Sequence, residues 1–258
     1  MSEDMKKKIS IVTGATGGLG REFVRRLLNE DIDEIWAVAR NVDKLKKLKE
    51  DYGDKIIIVV TDLSQDKSLD LLEEMLQNSN PIVKYLINNA GGGRMGSSDE
   101  FSREEIESHV MVHCTTIATL CNLCIPYMQK GCHIINMASQ SAFQPVPYIN
   151  LYAASKAFVR SYSRALNVEL NCRGIVTTVA CPGWIKTELL EDKRNGKQIQ
   201  FPAIALAEDV AAKILKDAKR GKDMSVYGIY VKWMHLLSKI FPHKLVMRTW
   251  VKQIKEYI

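Results

Sequence analysis

Tyr152 and Lys156, in the stretch Tyr152-Ala153-Ala154-Ser155-Lys156, stand four residues apart. On a helix that spacing sets both side chains on one face, a turn apart. A phenol titrates only near pH ~10, so alone it is a poor proton donor around neutrality. A fixed ammonium beside it favours the phenolate and lowers that value. The pair therefore reads as a tuned general acid–base. Thirteen residues upstream, Ser139 ends the apolar run Ile134-Ile135-Asn136-Met137-Ala138. A hydroxyl at the C-terminal end of a strand is well placed to hold a substrate oxygen. A Tyr and a Lys at this spacing also occur on ordinary surface helices, so the elements that would position them must decide.

Those elements begin with Lys8-Ile9-Ser10-Ile11-Val12-Thr13, a short apolar strand, running into Gly14-Ala15-Thr16-Gly17-Gly18-Leu19-Gly20 and then a helical pattern with Phe23, Leu27 and Leu28 apolar. Strand, glycine turn and helix make a phosphate cradle: glycines allow the tight turn and the close backbone approach, and the helix N-terminus offers free N–H groups. The second strand, Glu34 to Arg40, ends where a dinucleotide fold meets the adenosine ribose. A carboxylate there suits NAD, a cation NADP. The chain offers Ala39 and Arg40, with no acid before Asp43, which predicts NADP(H). The lysine-rich helix from Val42 to Asp51 reads as a solvated face. Ile56 to Val60 is near-continuously apolar, as in a parallel strand buried on both faces, and ends in Thr61-Asp62-Leu63-Ser64; Asp62 there can accept from an adenine amine or cap a helix. A helix is expected from Leu69 to Leu76. Val83 to Ile87 leads to Asn88-Asn89-Ala90-Gly91-Gly92-Gly93, small residues that let the chain pass close to a cofactor, with Asn89 able to lock the loop. Ser102-Arg103-Glu104-Glu105 is a capping box opening a helix to about Met128. Strand five spans Cys132 to Ser139, the Tyr152 helix reaches about Asn171, and Gly174 to Ala180 is followed by Cys181-Pro182-Gly183-Trp184-Ile185-Lys186-Thr187. This alternation predicts an α/β fold: a doubly wound parallel sheet with helices on both faces and ligands at the carboxyl ends of its strands. Asn89, Ser139 and Thr187 all fall at such ends.

The bulk numbers agree with one domain over 1–258. Hydrophobic residues make up 46% and charged ones 26% of 258 residues, and the net charge is +6. No Lys/Arg run is interleaved with aromatics, so nucleic acid is not expected as a partner. No signal-type stretch stands at the start and no uninterrupted apolar run approaches the ~18 residues of a spanning helix; a cytoplasmic protein is expected. The six cysteines, including Cys121-x-x-Cys124, lack zinc spacing and read as small buried thiols, and no metal is expected.

Taken together, Thr13-Gly14-x-x-x-Gly18-x-Gly20, Asn88-Asn89-Ala90-Gly91, Ser139, Tyr152-x-x-x-Lys156 and Pro182-Gly183-x-x-x-Thr187 resemble the short-chain dehydrogenase/reductase family, over about residues 8–190. The resemblance implies a Rossmann-type fold and an NAD(P)-dependent oxidoreductase acting on a small-molecule alcohol or carbonyl. It implies that Gly14, Gly18 and Gly20, with Thr16 and Leu19 of the same turn, border the cofactor phosphates. Asp62 and Leu63 would lie at the adenine, Asn89, Ala90 and Gly91 would line the cofactor, and Pro182, Gly183 and Thr187 would meet the nicotinamide end. Tyr152 would transfer the proton, Ser139 would hold the carbonyl, and Lys156 would bind the nicotinamide ribose and lower the Tyr152 pKa. One position departs. The family's catalytic Asn stands thirteen residues before a Pro-x-Met; here Pro126-Tyr127-Met128 marks the place and the residue is His113. A neutral imidazole also has one donor and one acceptor, so it can replace the Asn in proton relay. Alternatively it weakens catalysis, or the chain is a cofactor-binding regulatory or scaffold protein without turnover.

Residues 184–205 correspond to the family's substrate loop; Gly196 and the charges Glu188, Glu191, Asp192, Lys193 and Arg194 suit either a mobile lid or a solvated loop. Beyond the helix Ala207–Lys219, the segment 226–258 departs from the family's ending. Lys232, His235 and Lys239 share one helical face and Trp233, Leu236, Leu237 and Ile240 a broad apolar one; after Pro242, Lys244, Arg248 and Lys252 stand opposite Val246, Trp250 and Ile254. Such a basic amphipathic extension can pack on its own domain, roof the pocket, pair subunits of a homo-oligomer, or lie on a membrane surface. Its apolar face hints at an apolar substrate.

Overall fold

The computed structural model describes residues 6–188, 190, 193–194, 197–199 and 201–255. Strands β1 (Lys8–Thr13), β2 (Glu34–Ala39), β3 (Ile56–Val60), β4 (Ile82–Asn88), β5 (His133–Met137) and β6 (Val176–Ala180) alternate with helices α1 (Gly18–Leu27), α2 (Val42–Tyr52), α3 (Asp70–Ser79), α4 (Arg103–Val110), α5 (Thr116–Cys124) and α6 (Asn150–Asn171). Strands β7 (Ile185–Lys186) and β10 (Ala205–Leu206) pair with each other, as do β8 (Lys193–Arg194) and β9 (Lys197–Gln198). Then come α7 (Ala207–Lys219), β11 (Met224–Ser225), α8 (Ile229–Ile240) and α9 (His243–Ile254). The main sheet has seven strands in the order β11-β6-β5-β4-β1-β2-β3, every neighbouring pair parallel. The Rossmann-type doubly wound sheet expected from the βα alternation is thus the fold. β11 was missing from that expectation because two residues carry no readable period.

The sheet is buried on both faces, and successive side chains of β1 show it. Ile9 and Ile11 join a core with Leu72 and Leu76 of α3, Leu120 and Cys121 of α5, and Leu166 and Leu170 of α6. Val12 joins the opposite core with Phe23 and Leu27 of α1, Leu45 and Leu48 of α2, and Val210 and Ile214 of α7. Strand order reverses at β1, because β2 and β3 lie on one side of it and β4 on the other. The crevice outside the carboxyl ends of β1 and β4 is where such a sheet binds ligands.

The long fourth helix is not the uniform helix expected. The capping box at Ser102 and Glu105 forms, with both bonds made, but a π turn at Met111–Thr115 separates α4 from α5. Such bulges recur at functional sites. By length and composition Arg103–Tyr127 is long and apolar enough to cross a membrane, although polar residues interrupt its apolar ones. Ile117, Leu120, Cys121 and Cys124 on it are core residues. All six cysteines are free thiols; Cys172 is exposed and Cys114 half-buried, so burial does not hold for those two.

Candidate active site

Thr13 and Asn89 tie the two central strand ends together. Thr13 Oγ1 accepts from the backbone N–H groups of Asn89 and Ala90 at 2.9 and 3.0 Å. The Asn89 amide donates to the Thr13 and Gly14 carbonyls at 3.1 and 3.2 Å, so it locks the loop as its type suggests. Gly14 has φ +63°, and a Cβ there would stand 2.9 Å from Ala90 Cα. A Cβ on Gly20 would fall 2.1 Å from the Gly14 carbonyl oxygen, which no side chain can accommodate. Helix α1 starts at Gly18 behind an N-cap, Gly17, that makes no side-chain cap bond, and its first turn holds no acid. Its first N–H groups are left for an anion, and the dipole favours one there. The turn, with Thr16 half-buried and Leu19 buried in it, fits a pyrophosphate.

The other cofactor candidates surround this turn. A Cβ on Gly18 would meet the Thr187 side chain at 3.0 Å, so the segment after β6 reaches back over α1. Pro182 holds that segment by accepting from the Gln140 N–H at 2.8 Å, and Gly183 packs against Val231. Arg40 is exposed just past β2, and among the described residues nothing pairs with its guanidinium. Asp62 Oδ1 accepts from the Ser64 N–H and hydroxyl at 3.1 and 2.8 Å, and the Leu63 carbonyl accepts from Thr116 Oγ1 at 3.1 Å; Asp62 thus caps a turn after β3, and the next helix, α3, begins only at Asp70.

Ser139, Tyr152, Lys156 and His113 do converge. Lys156 is 3% exposed, and its Nζ donates to the Met137 carbonyl at 2.8 Å and lies 5.4 Å from the centroid of the Tyr152 ring. Burial pushes the ammonium down to about 8. Burial also raises the Tyr152 phenol, while a hydrogen bond with the Ser139 side chain pulls it back. The phenol thus stands above its usual value rather than below it, and the group that opposes the rise is Ser139, not Lys156 as expected. Ser139 Oγ also accepts from the Ser141 N–H at 3.2 Å, capping the turn Gln140–Phe143.

His113 is 2% exposed, and its Nε2 lies 3.0 Å from the Gly92 carbonyl oxygen. A carbonyl only accepts, so Nε2 carries the proton and Nδ1, buried without a partner, is a bare acceptor. Burial and then the Lys156 charge hold His113 near 2, so the ring is neutral. It meets the Tyr152 ring edge-on at 5.7 Å. The glycines after Asn89 have a sharper reason than cofactor access: a Cβ on Gly91 (φ +122°) would strike the His113 ring at 2.3 Å, and one on Gly93 would strike Tyr152 at 2.9 Å.

Further supports had no role assigned from the sequence. His109 stacks on His113 at 4.2 Å, and its Nε2 lies 3.2 Å from Ser155 Oγ. Ser155 donates to the Tyr152 carbonyl at 2.8 Å, so His109 is the donor to Ser155. Beneath the site, the Asn88 amide donates to Asn136 Oδ1 at 2.8 Å and the Asn136 amide to Ser163 Oγ at 2.9 Å, fastening β4, β5 and α6 together. The Asn150-to-Asn171 helix already carried Ser163 two turns beyond Lys156, which is the signal that could have found it. Of the substrate loop, Glu191, Asp192 and Gly196 lie outside the described residues; Glu188 pairs with Lys44 at 3.3 Å. A cavity of about 300 Å³ adjoins Gly183 and is lined by Trp184, Ile204, Leu206, Ile229 and Tyr230 among others; neither Ser139 nor Tyr152 lines it.

Residues 8–198 match the family model described as short chain dehydrogenase. The chain belongs to the short-chain dehydrogenase family. It is 25% identical over 261 residues to the rat 17-beta-hydroxysteroid dehydrogenase type 3, covering 96% of this chain and 83% of the relative. A short-chain dehydrogenase from Sphingobium yanoikuyae in complex with NADPH superposes with a TM-score of 0.76 at 23% identity, covering 93% of this chain and 95% of the other. One from Burkholderia phymatum in complex with NAD gives 0.77 at 22%, over 92% and 94%. As a short-chain dehydrogenase, the chain is an oxidoreductase that uses a nicotinamide dinucleotide on small molecules.

Proposed function

We propose that this short-chain dehydrogenase is an NADPH-dependent carbonyl reductase, with Tyr152 as the general acid. The observation that carries the reading is the convergence of Tyr152 and Ser139, with the buried Lys156 ammonium 5.4 Å from the Tyr152 ring. The nicotinamide, when bound, supplies the hydride. Ser139 and the Tyr152 hydroxyl hold the substrate oxygen. Tyr152 gives its proton to that oxygen as negative charge grows on it. The phenol is then a phenolate, and the Lys156 charge stabilises that anion at the moment it forms. A neutral phenol held above its usual pKa before the step, and charge support after it, together suit an acid that must keep its proton until needed. His113, with its bare Nδ1 as acceptor, takes the place of the family's Asn in supporting a water that relays protons toward Lys156. Gly14, Gly18 and Gly20 hold the phosphates, and Arg40, exposed just past β2 and without a partner among the described residues, meets a ribose phosphate. The name of the rat relative speaks of a hydroxysteroid, which supports an apolar alcohol or ketone as substrate.

NADPH absorbance followed over a panel of apolar ketones and aldehydes tests the reading. Consumption with NADPH that is at least about tenfold faster than with NADH at equal low concentration is expected. No consumption on any carbonyl would favour the scaffold alternative, and equal use of both cofactors would remove Arg40 from the assignment.

A further inference from the structure

Helix α8 is inside out for a helix facing water. Its buried residues are Val231 and Ser238, and between them His235 packs on Phe143 with ring centroids 4.1 Å apart. These positions, four and seven residues on from Val231, are the face that holds α8 to the domain. The opposite face carries Ile229, Tyr230, Trp233, Leu236 and Ile240, with exposures of 74, 38, 57, 45 and 64%. Phe241 and Leu245 continue it onto α9 at 44 and 52%, while Trp250 anchors α9 by donating to the Pro147 carbonyl at 2.9 Å. An amphipathic helix normally buries its large apolar side chains, and a contiguous exposed patch of this kind marks an interaction site.

The charge around the patch says what covers it. Lys232, Lys239, Lys244, Arg248 and Lys252 are exposed, and neither helix holds a carboxylate. A second copy laid face to face would set these cations against themselves. A surface that is anionic at its rim and apolar beneath satisfies both features: a bilayer with acidic headgroups, into which Trp233, Leu236 and Ile240 sink while the lysines stay at the phosphates. The geometry points to α8 and the start of α9 as a docking surface for an anionic membrane. Ile229 and Tyr230 also line the cavity beside Gly183, so seating α8 brings the rim of that cavity to the acyl chains.

Flotation of the full chain with vesicles reads this without any assay of turnover. Phosphatidylcholine vesicles containing about a third phosphatidylserine should carry the protein up the gradient, and pure phosphatidylcholine should carry more than about tenfold less. Added salt should release it. The variant Trp233→Ser/Leu236→Ser/Ile240→Ser should lose flotation, with its thermal melt checked against the parent. The charge variant Lys232→Glu/Lys239→Glu/Lys244→Glu, which leaves the apolar face intact, should lose it as well. Equal flotation with neutral vesicles, or full flotation of either variant, would overturn the proposal. So would a dimer in light scattering that the serine variant dissolves while the parent ignores vesicles.

Discussion

At the scale of single residues, three groups are set in states that suit one direction of proton flow. His113 is held near 2 and His109 near 4, both chiefly by burial, so neither ring takes a proton between pH 5 and 9. Lys156 sits at about 8. The kcat/KM profile for reduction reports the free enzyme's groups. It should therefore be flat through the ordinary histidine range and fall as pH rises through about 8, where Lys156 loses the charge that stabilises the phenolate. A step near pH 6.5 would mean that a histidine titrates in the site. His113→Ala should lower turnover by about tenfold or more with NADPH affinity nearly unchanged, whereas His113→Asn, which keeps a donor and an acceptor, should retain most of it. Unchanged turnover in His113→Ala would remove the ring from the relay. Ser139, Tyr152, Lys156 and His113 were legible because each motif fixes type and spacing. His109 was not, because its stack on His113 depends on a π turn that no local pattern announces.

At the scale of elements, the site is held by helices and strands fastened from beneath. Ser163 is wholly buried and receives the Asn136 amide while donating to the Val159 carbonyl at 2.7 Å. Ser163→Ala leaves that amide only its weak contact with Cys121 Sγ at 3.7 Å, and losing the oxygen acceptor costs about 1–3 kcal/mol. A thermal midpoint lower by roughly 2–10 °C is expected, along with weaker turnover because α6 carries Tyr152 and Lys156. An unchanged midpoint would show that the amide finds another acceptor. The order and type of the βα units were legible because buried parallel strands read as continuous apolar runs and their helices as amphipathic ones. Helix α8 was legible only in part. Its period separates two faces, yet which face turns inward is set by Phe143 and Gly183, far away in the chain.

Across the whole molecule, two sets of parts meet at the carboxyl edge of the sheet. The set proposed for the cofactor is spread over the glycine turn, the ends of β2, β3 and β4, and the segment after β6. The set proposed for proton transfer comes from α6, the end of β5 and the π turn. Because different elements supply them, the account requires the two functions to be separable by one atom. Tyr152→Phe keeps the ring that packs against His113 and Gly93 and removes only the hydroxyl. The direct measurement is NADPH affinity by fluorescence titration beside NADPH consumption with the best carbonyl substrate, parent and variant in parallel. The account predicts affinity within about twofold and turnover lower by roughly 10²–10⁴-fold. Turnover close to that of the parent, at any cofactor affinity, would contradict it.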